Sequence, residues 1–482
     1  MTQPKHIHLI GICGTAMASL AGLLQLKGHR VTGSDHAAYP PMSDLLRSLG
    51  IPVAEPFAET NLQPHPDLVI IGNAISRGNV ELEFVLDQRI AFTSLAAVLH
   101  DEFIASRETG GHESLVVAGT HGKTTTTSML GWIYEVAARR DAALAPSFLI
   151  GGVAENFGTS FQLRAGKPFI IEGDEYDTAF FDKGPKFMHY FPDAVILTHV
   201  EFDHADIYRD LDSVKTAFKR LVNLVPRRGR IVAFDASENV SECVARAFCT
   251  VERYGFGADS RWRMTDLRYE EGVSRWTLLR SGEPWADLSL PVAGEHNALN
   301  ATAAAALAAG QGIAREAIVE ALATFRSVRR RLEVRAEIDG ITIIDDFAHH
   351  PTAIRETLRA LRSAYPGRRL WAVLEPRSNT LRRNVFEREL VDSLALADEI
   401  VVAGVFQTEK IPAAERLHPE HVVAALVSAG KPAALLANAD AIVANITPRV
   451  RAGNVVAILS NGGFDGIYEK LPAALKARAQ KV

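Results

Sequence analysis

The sequence predicts an α/β protein of three domains, each built on a mostly parallel sheet. Short apolar runs typical of buried strands alternate with helical patterns along most of the chain, and this alternation is characteristic of parallel sheets covered by helices. The length of 482 residues exceeds what one hydrophobic core organises, since domains commonly have ~100–200 residues. Hydrophobic residues at 47% and charged residues at 23% are ordinary for globular proteins and argue against a fibrous or disordered chain.

The first domain is predicted to span residues 1–107 and to form a Rossmann-like, doubly wound sheet. Residues 6–12 are mostly apolar and end near a glycine, and a helical pattern follows from Met17 to Leu26. The pattern repeats, with a further strand predicted at residues 67–75. The polar, glycine-bearing residues 106–113 are predicted to be a linker.

Two more α/β domains are predicted after this linker. The central domain, residues 108–325, begins with a strand at Leu115–Ala118 and a helix at Thr124–Ala138. It becomes richer in strand patterns near residues 250–290. The C-terminal domain, residues 326–482, alternates strands and helices again and is predicted to be a second Rossmann-like unit.

Charge and cysteine content exclude several classes of protein. The formal net charge of −5 argues against a general nucleic-acid binder, because phosphate backbones are bound mainly by clustered positive charge. Three cysteines without CxxC pairing exclude a disulfide framework and a four-thiolate zinc site. No signal-type segment and no run of ~18 apolar residues occurs, so we expect a cytoplasmic, soluble protein that does not bind membranes.

One dense basic run interrupts the otherwise mixed charge pattern. Its members are Arg326, Arg329, Arg330, Arg331 and Arg335. A solvated face, a nucleic-acid patch and a phosphate clamp are all compatible with such a run.

A phosphate-binding loop is predicted between the first strand and the first helix of the central domain. It consists of Gly119, Thr120, His121, Gly122, Lys123, Thr124 and Thr125. Glycines let backbone N–H groups approach phosphate oxygens, the helix N-terminus adds positive potential, Lys123 reaches the outer phosphates, and a threonine hydroxyl binds Mg²⁺. The usual spacing requires glycine at position 117, where this chain has Val117, so the loop is a shorter variant. A glycine-rich turn without a ligand is the alternative.

Acidic residues follow two further strands of the central domain. Residues 172–177 begin where one strand ends, and residues 198–206 follow the next and include His204. The carboxyl ends of parallel strands face the same crevice, and carboxylates are hard ligands suited to Mg²⁺. Glu172 is therefore the first candidate for a metal ligand, although a solvated turn would also explain these acids. His204 gains weight because other polar sites converge on the same edge.

Two later segments carry polar side chains into predicted functional positions. Residues 294–300 precede an alanine-rich helix and supply Asn297 and Asn300, whose amides suit the recognition of a base or ribose. Helix capping would explain one of them. Residues 345–351, which contain Asp346 and two histidines, follow an apolar strand directly. The spacing does not say which histidine, His349 or His350, faces a site.

The N-terminal turn at residues 11–17 resembles a dinucleotide-binding turn only in part. Gly11 and Gly14 are present, with Asp35 at a plausible distance downstream, but the pattern would require glycines at positions 13 and 16. A uridine diphosphate group could use the same helix N-terminus with fewer glycines. A tight strand-to-helix turn without a ligand is also possible.

Together these segments resemble the Mur ligases of bacterial cell-wall synthesis. Six motifs occur in that family's order, and the resemblance runs through essentially the whole chain: GTHGKTTT, EGDEYD, THVEFDHAD, GEHNALNATAA, RRLE and DDFAHHP. The resemblance implies a UDP-sugar-binding N-terminal domain, a central P-loop ATPase domain that binds ATP, and a C-terminal domain that admits the incoming amine. It implies that ATP and Mg²⁺ are used, and that a carboxylate is activated as an acyl phosphate and then attacked by an amine.

The resemblance also assigns roles to residues. Lys123 and Thr124 would bind phosphate and Mg²⁺, with Glu172 and His204 in the metal site. Asn297 and Asn300 would contact the base of ATP. Arg331 would contact its outer phosphates, and Asp346 would contact its ribose. The catalytic set would be Lys123, Glu172, His204 and His349, and the UDP-sugar set would be Gly11, Gly14, Thr15, Asp35 and Asn73. Some family members carry a carbamylated lysine near Lys219, but we do not expect it here.

Two branches of the family act on UDP-N-acetylmuramate, and they differ in the amine that they add. One adds L-alanine; the other attaches the recycled tripeptide L-alanyl-γ-D-glutamyl-meso-diaminopimelate. The segments EGDEYDTAFFDK and EPRSNTL and the later SNGGF are more similar to the tripeptide branch, which we favour. Arg377, Ser378 and Asn461 are then the candidates for contacts with the peptide.

Two other classes of protein remain as remote alternatives. A nicotinamide-dependent oxidoreductase would use the N-terminal sheet, and a nucleotide-gated regulatory protein would keep the phosphate loop without ligation. The incomplete glycine pattern at residues 11–16 argues against the oxidoreductase. The sequence does not predict the oligomeric state.

Overall fold

The computed structural model describes residues 3–38, 42–105, 111–270 and 272–480. Most of the predicted linker at 106–113, and with it the predicted boundary after residue 107, lies outside the described residues. Among the described helices, none is long and apolar enough to cross a membrane.

The N-terminal domain has the predicted doubly wound parallel sheet. Its strand order is β3-β2-β1-β4-β5, and Ile7, Leu9 and Ile70 in the central strands have no exposed surface. The strands are β1 His6–Ile10, β2 Arg30–Ser34, β3 Val53–Ala54, β4 Leu68–Ile71 and β5 Phe92–Ser94. The helices are α1 Thr15–Leu26, α2 Met42–Ser48, α3 Val80–Asp87 and α4 Leu95–Val98.

The central domain is built on a large mixed sheet with the order β17-β16-β15-β14-β13-β12-β6-β9-β7-β8, beside a small β10-β11 hairpin. Its strands are β6 Glu113–Ala118, β7 Ser147–Ala154, β8 Thr159–Gln162, β9 Pro168–Gly173, β10 Asp177–Ala179, β11 Asp182–Pro185, β12 Ala194–Leu197, β13 Arg230–Phe234, β14 Thr250–Gly255, β15 Trp262–Glu270, β16 Val273–Arg280 and β17 Glu283–Leu290. Its helices are α5 Lys123–Ala138, α6 Leu211–Leu224, α7 Glu238–Val244, α8 Glu295–Gly310 and α9 Arg315–Ala323. The antiparallel β15–β17 account for the strand-rich stretch seen in the sequence.

The C-terminal domain repeats the doubly wound plan with the strand order β18-β19-β23-β20-β21-β22. β18 is antiparallel to β19 at one edge, whereas the other neighbours are parallel. The strands are β18 Glu333–Ile338, β19 Ile341–Asp346, β20 Arg369–Leu374, β21 Glu399–Ala403, β22 Ala433–Leu436 and β23 Asn454–Leu459. The helices are α10 Pro351–Ala364, α11 Glu387–Leu394, α12 Pro419–Ser428, α13 Ala439–Ile446 and α14 Ile467–Ala479.

The central sheet brings the predicted motifs to one edge. β6 lies between β9 and β12, all parallel, with Val117 opposite Glu172 and Ala118 opposite Leu197. The segments that follow these strands therefore emerge side by side. The fold class predicted from the sequence, three α/β domains with parallel cores, is confirmed.

Candidate active site

The phosphate loop lies at the carboxyl end of β6, and close packing requires both of its glycines. Gly119 has φ of 128°, and a Cβ there would lie 2.2 Å from Thr198 Oγ1. Gly122 has φ of 82°, and a Cβ there would lie 2.6 Å from Asn300 Oδ1. Positive φ favours glycine. Because α5 begins directly afterwards at Lys123, the loop sits at a helix N-terminus, where anions are stabilised.

Lys123 is held by the loop and by one buried carboxylate. Its Nζ donates to the Gly119 carbonyl at 2.8 Å and to Glu175 Oε2 at 2.8 Å. Burial alone would lower the pKa of Lys123, but the charges of Glu175 and Asp174 raise it, so the ammonium keeps its proton. Glu175 is 2% exposed. Glu175 was not predicted as a site residue, although it lies within the acidic residues 172–177.

Thr124 and Glu172 place two oxygen ligands side by side. Thr124 Oγ1 donates to Glu172 Oε2 at 3.1 Å, and the Gly151 N–H donates to the other carboxylate oxygen. Arg331 Nη2, from the segment that precedes β18, lies 3.4 Å from Thr124 Oγ1. Burial raises the pKa of Glu172, and a bound cation would oppose that shift. Hydroxyl and carboxylate oxygens are ligands that Mg²⁺ prefers, so this pair fits the expected ion.

His204 forms a different pair from the one predicted. Its Nε2 lies 3.3 Å from Glu175 Oε1. Although burial opposes the shift, the hydrogen bond and the charge of Glu175 raise the pKa of His204 to about 9. The imidazole is thus protonated against Glu175, whereas a metal ligand must be neutral. The role of His204 as a ligand of the same ion as Glu172 stays a prediction.

A cavity between the central and C-terminal domains, here called the nucleotide cavity, lies beside the loop. The predicted nucleotide residues that line it are His121, Gly122, Thr124, Thr125, Asn297, Asn300, Arg331 and Asp346. It is also lined by His199 and Phe234, whose ring centroids are 4.6 Å apart, and by His296 and Leu299. None of these four was predicted as a site residue, although the segments 198–206 and 294–300 contain His199, His296 and Leu299. His199 and Phe234 stand at the carboxyl ends of β12 and β13, so the sheet-edge rule that found Glu172 applies to them as well.

Asp346 and Asn297 already serve the fold in addition to any role with a nucleotide. The Asp346 carboxylate accepts hydrogen bonds from Leu332 N at 2.8 Å, Ala348 N at 2.9 Å and Thr357 Oγ1 at 3.0 Å. Burial raises its pKa. Asn297 Nδ2 donates to the Ala293 carbonyl at 2.7 Å. Both residues therefore fix the walls of the nucleotide cavity.

A second cavity, here called the reaction cavity, also borders the loop. Thr120, Lys123, Glu172, His204 and His349 line it. It shares lining residues with a third, open cavity, here called the outer cavity. The outer cavity is lined by Tyr176, Asp203, His204, His349, Arg377, Ser378, Asn379, Thr380, Arg382, Phe406, Gln407 and Asn461. Asp203, His204 and His349 line both cavities, so the two meet there.

All three residues predicted to contact a peptide lie in the outer cavity. The Arg377 guanidinium stacks on Phe406, 3.7 Å from the ring centroid, and its Nη1 lies 3.3 Å from Glu375 Oε1. Ser378 Oγ donates to the His349 carbonyl at 3.2 Å. Asn461 Oδ1 is buried and has no hydrogen-bond partner among the described residues. A buried polar atom without a partner is costly, and at a site it indicates a ligand contact.

Glu201 joins the central domain to the C-terminal domain beside the phosphate loop. Its Oε2 accepts from Thr352 Oγ1 at 2.7 Å and lies 3.1 Å from His121 Nε2. Burial opposes the shift, but His121 and Thr352 lower the pKa of Glu201 to about 2. His350 Nε2 donates to the Phe202 carbonyl at 3.2 Å. The third domain is therefore docked by hydrogen bonds at the edge of the nucleotide cavity.

Comparison with known proteins agrees with this arrangement. Three family models match: "Mur ligase family, catalytic domain" over residues 6–107, "Mur ligase middle domain" over 117–308 and "Mur ligase, glutamate ligase domain" over 330–462. The chain belongs to the Mur ligase family. It is an ATP-dependent ligase that forms amide bonds, which removes the oxidoreductase interpretation of its N-terminal turn.

Relatives of this Mur ligase cover nearly its whole length. The UDP-N-acetylmuramate–L-alanyl-γ-D-glutamyl-meso-2,6-diaminoheptandioate ligase of Escherichia coli (strain K12) is 41% identical over 98% of this chain and 99% of its own. The UDP-N-acetylmuramate–L-alanine ligase of Thiobacillus denitrificans is 33% identical over 97% and 98%. The crystal structure of a murein peptide ligase from Psychrobacter arcticus matches 98% of this chain and 99% of its own, with 35% identity and a TM-score of 0.74.

The N-terminal residues predicted to bind a UDP-sugar lie in two places in this Mur ligase. Gly11 has φ of 80°, and Gly14 precedes α1, which starts at Thr15. Asp35 Oδ2 accepts from Cys13 N at 2.8 Å and so braces this turn. Asn73 lies across the domain junction instead, with Nδ2 3.1 Å from Asp177 Oδ1. The amide of Asn73 therefore links the first domain to the hairpin β10-β11.

The structure also places the residues that sequence left undecided. His349 and His350 both line the reaction cavity, but only His349 also lines the outer cavity. His350 is 4% exposed and caps α10, with Nδ1 accepting from Thr352 N at 3.3 Å. Lys219 pairs with Glu242, Nζ to Oε1 at 2.5 Å, on the surface of α6.

Proposed function

We propose that this Mur ligase joins the carboxylate of UDP-N-acetylmuramate to the amine of L-alanyl-γ-D-glutamyl-meso-diaminopimelate in peptidoglycan recycling. The observation that carries the proposal is the meeting of the reaction and outer cavities at His204 and His349. One cavity contains the phosphate loop, and the other is lined by Arg377 and Arg382. An activated acyl group in one cavity and an anionic peptide in the other would therefore meet at these two histidines.

The size of the outer cavity supports a peptide over a single amino acid. Its volume is about 360 Å³, within the range of 300–1,000 Å³ that is usual for small-molecule sites and far larger than one alanine needs. Sequence identity also supports a peptide substrate. The Escherichia coli relative named for the tripeptide is 41% identical to this chain, whereas the alanine ligase from Thiobacillus denitrificans is 33% identical.

The first step we propose is phosphorylation of the sugar carboxylate. The carboxylate attacks the γ-phosphorus of ATP, ADP leaves, and an acyl phosphate forms. Lys123 and Arg331 offset the negative charge on the transferred phosphoryl oxygens, which is the largest contribution a protein makes in such transfers. Thr124 and Glu172 would hold Mg²⁺, which supplies further positive charge at the same oxygens.

The second step requires a neutral amine, and His349 is placed to accept its proton. Burial lowers the pKa of His349, so the imidazole is neutral at neutral pH. Its Nδ1 donates to the Phe347 carbonyl at 2.9 Å, which leaves Nε2 with a free lone pair. After Nε2 takes the ammonium proton, the amine attacks the acyl carbon and phosphate leaves from the tetrahedral intermediate.

An assay with purified protein tests this function. UDP-N-acetylmuramate, the tripeptide, ATP and Mg²⁺ are expected to give ADP, phosphate and a nucleotide sugar whose mass increases by that of the tripeptide less water. A parallel reaction with L-alanine in place of the tripeptide should release little phosphate. Phosphate release with L-alanine and not with the tripeptide would assign the chain to alanine addition instead. A cytoplasmic location accords with the nucleotide substrates.

A further inference from the structure

The outer cavity contains an arginine that the structure leaves without a counter-charge. Arg382 is 8% exposed, and its buried Nε has no hydrogen-bond partner among the described residues. Its Nη1 lies 3.5 Å from the carbonyl oxygens of Phe406 and Gln407, and its Nη2 donates to Asn379 Oδ1. In the part of the chain that the structure describes, no carboxylate forms an ion pair with it.

The charged residues that the structure describes near Arg382 do not form an ion pair with it. Asp206 is reached only through Asn379, whose Nδ2 donates to Asp206 Oδ2 at 2.7 Å. Burial and the positive charges of Arg383 and Arg377 lower the pKa of Arg382, and the charges of Asp206 and Glu409 offset this only in part. A buried guanidinium without a paired anion costs stability, so the cavity is built to be completed by a negative group.

Arg377 and Arg383 show how the other arginines of this segment differ. Arg377 is stacked on Phe406 and lies 3.3 Å from Glu375 Oε1. Arg383 is paired with the carboxylate of Glu415 and does not line the outer cavity. Only Arg382 combines burial, an unused donor and a place in the cavity wall.

The position of Arg382 indicates which part of a ligand it meets. His204 and His349 line both cavities, so the reacting amine belongs at their end. Arg382, Phe406 and Gln407 line the outer cavity alone, so they face parts of the ligand that are remote from the amine. Guanidinium groups bind carboxylates with paired, charge-assisted hydrogen bonds.

We propose that Arg382 is a specificity-determining residue that binds a carboxylate of the peptide's C-terminal residue, remote from the reacting amine. This inference rests on the proposed function, because it takes the outer cavity as the peptide site. It extends that function, because the enzyme would then select peptides that carry negative charge at the end remote from the reacting amine. Peptides without that charge are then poor substrates even when their amine is identical.

The test combines two protein variants with two peptides. Arg382→Gln removes the charge at similar size, and Arg383→Gln is the matched control from the same segment. The peptides are the tripeptide and its analogue with both diaminopimelate carboxylates converted to carboxamides. KM for peptide, KM for ATP and kcat are measured for each combination, and thermal unfolding is measured for each protein.

We expect Arg382→Gln to raise KM for the tripeptide at least about tenfold, as loss of a charge-assisted hydrogen bond implies. KM for ATP and kcat should change little. Wild-type enzyme should show a similar rise in KM with the carboxamide analogue, and Arg382→Gln should add no further rise with that analogue. Arg383→Gln should behave as wild type with both peptides.

Two further measurements separate recognition from a structural role. Because Arg382 lacks a counter-charge, Arg382→Gln should have a Tm equal to or above that of wild type. Arg382→Lys keeps the charge without the paired geometry and should raise KM for the tripeptide by less. Equal rises in KM for both peptides, or a lowered Tm with unchanged KM, would overturn the inference.

Failure of the proposed function would look different. If wild type forms no product with the tripeptide but ligates L-alanine, the peptide site is wrong and the role of Arg382 falls with it. If wild type ligates the tripeptide and Arg382→Gln has the same KM, only the inference about Arg382 is refuted.

Discussion

Lys123 Nζ donates to both oxygens of the Glu175 carboxylate, at 3.1 and 2.8 Å. The same carboxylate lies 3.3 Å from His204 Nε2, so one buried acid positions two cationic groups. A phosphoryl group bound at the loop would meet Lys123 already oriented, since its Nζ also donates to the Gly119 carbonyl at 2.8 Å. Preorganised charge of this kind costs no reorganisation during the reaction.

Replacement of Lys123 by alanine should abolish turnover while the affinity for the UDP-sugar stays within a few-fold. Loss of one preorganised cationic donor costs at least about 100-fold in rate, and the UDP-sugar residues lie on another domain. Phosphate release and calorimetric binding of UDP-N-acetylmuramate measure the two quantities. Lys219→Ala, an exposed lysine of the same domain, is the matched control and should keep full activity. Unchanged turnover in Lys123→Ala would refute the central assignment.

Glu175→Gln should lower turnover roughly 10–100-fold, as commonly follows the loss of a residue that orients a functional side chain. This decrease is smaller than the one expected for Lys123→Ala. The reason is that glutamine keeps the shape of the side chain but not the charge that orients Lys123. Removing this charge should also lower the pKa of His204 from about 9 toward its ordinary value. Titration of the His204 imidazole by NMR checks that shift. An unchanged His204 titration would mean that another group holds its proton.

Removal of Mg²⁺ with a chelator should stop phosphate release. Thr124→Val should raise the Mg²⁺ concentration needed for half-maximal activity at least about tenfold, which is equivalent to about 1.4 kcal/mol. Thr124 Oγ1 and Glu172 Oε2 are 3.1 Å apart, so valine removes one of two adjacent oxygen ligands. Thr124→Ser keeps the hydroxyl and should retain the wild-type requirement. A wild-type Mg²⁺ requirement in Thr124→Val would place the ion elsewhere.

Much of the site could be predicted because it follows from local order in the chain. Strands β6, β9 and β12 were recognisable as apolar runs, and the carboxyl ends of parallel neighbours share an edge. Gly119, Glu172 and the segment that carries His204 therefore had to converge. The same reasoning already included His199 within residues 198–206, and it extends to Phe234 at the end of β13.

The rest of the site depends on how domains dock, and spacing in the sequence does not carry that information. Asn73 and Asp177 are 104 positions apart yet form a contact between domains. Tyr176 and Asn379, 203 positions apart, line the outer cavity together. The partner of Lys123 was also not predictable, because residues 172–177 offer several acids and only the three-dimensional structure selects Glu175.

The junction between the central and C-terminal domains should weaken in acid because of His350. Its Nδ1 accepts from Thr352 N at 3.3 Å and its Nε2 donates to the Phe202 carbonyl at 3.2 Å, an arrangement that requires a neutral imidazole. Burial, with the nearby charge of His121, lowers the pKa of His350 to about 4. In the unfolded chain the group takes up a proton near its ordinary pKa of about 6.5.

These two pKa values of His350 determine how the stability of the protein changes with pH. Above about pH 6.5 neither state is protonated at His350, and its contribution to stability is complete. As the pH falls from there toward about 4, only the unfolded state binds the proton, so the contribution is lost, up to about 3 kcal/mol. Tm of wild type should therefore decrease across this window.

His350→Asn tests this contribution, since asparagine caps a helix well without titrating. Its Tm should be lower than that of wild type at pH 7.5, because the ring contacts with His121 and Phe386 are lost, but it should depend less on pH. Part of the acid sensitivity should remain, because burial also lowers the pKa values of His199 and His296 to about 4. His65→Asn, at an exposed histidine, should keep the wild-type slope. A wild-type slope in His350→Asn would show that His350 does not sense pH in this range.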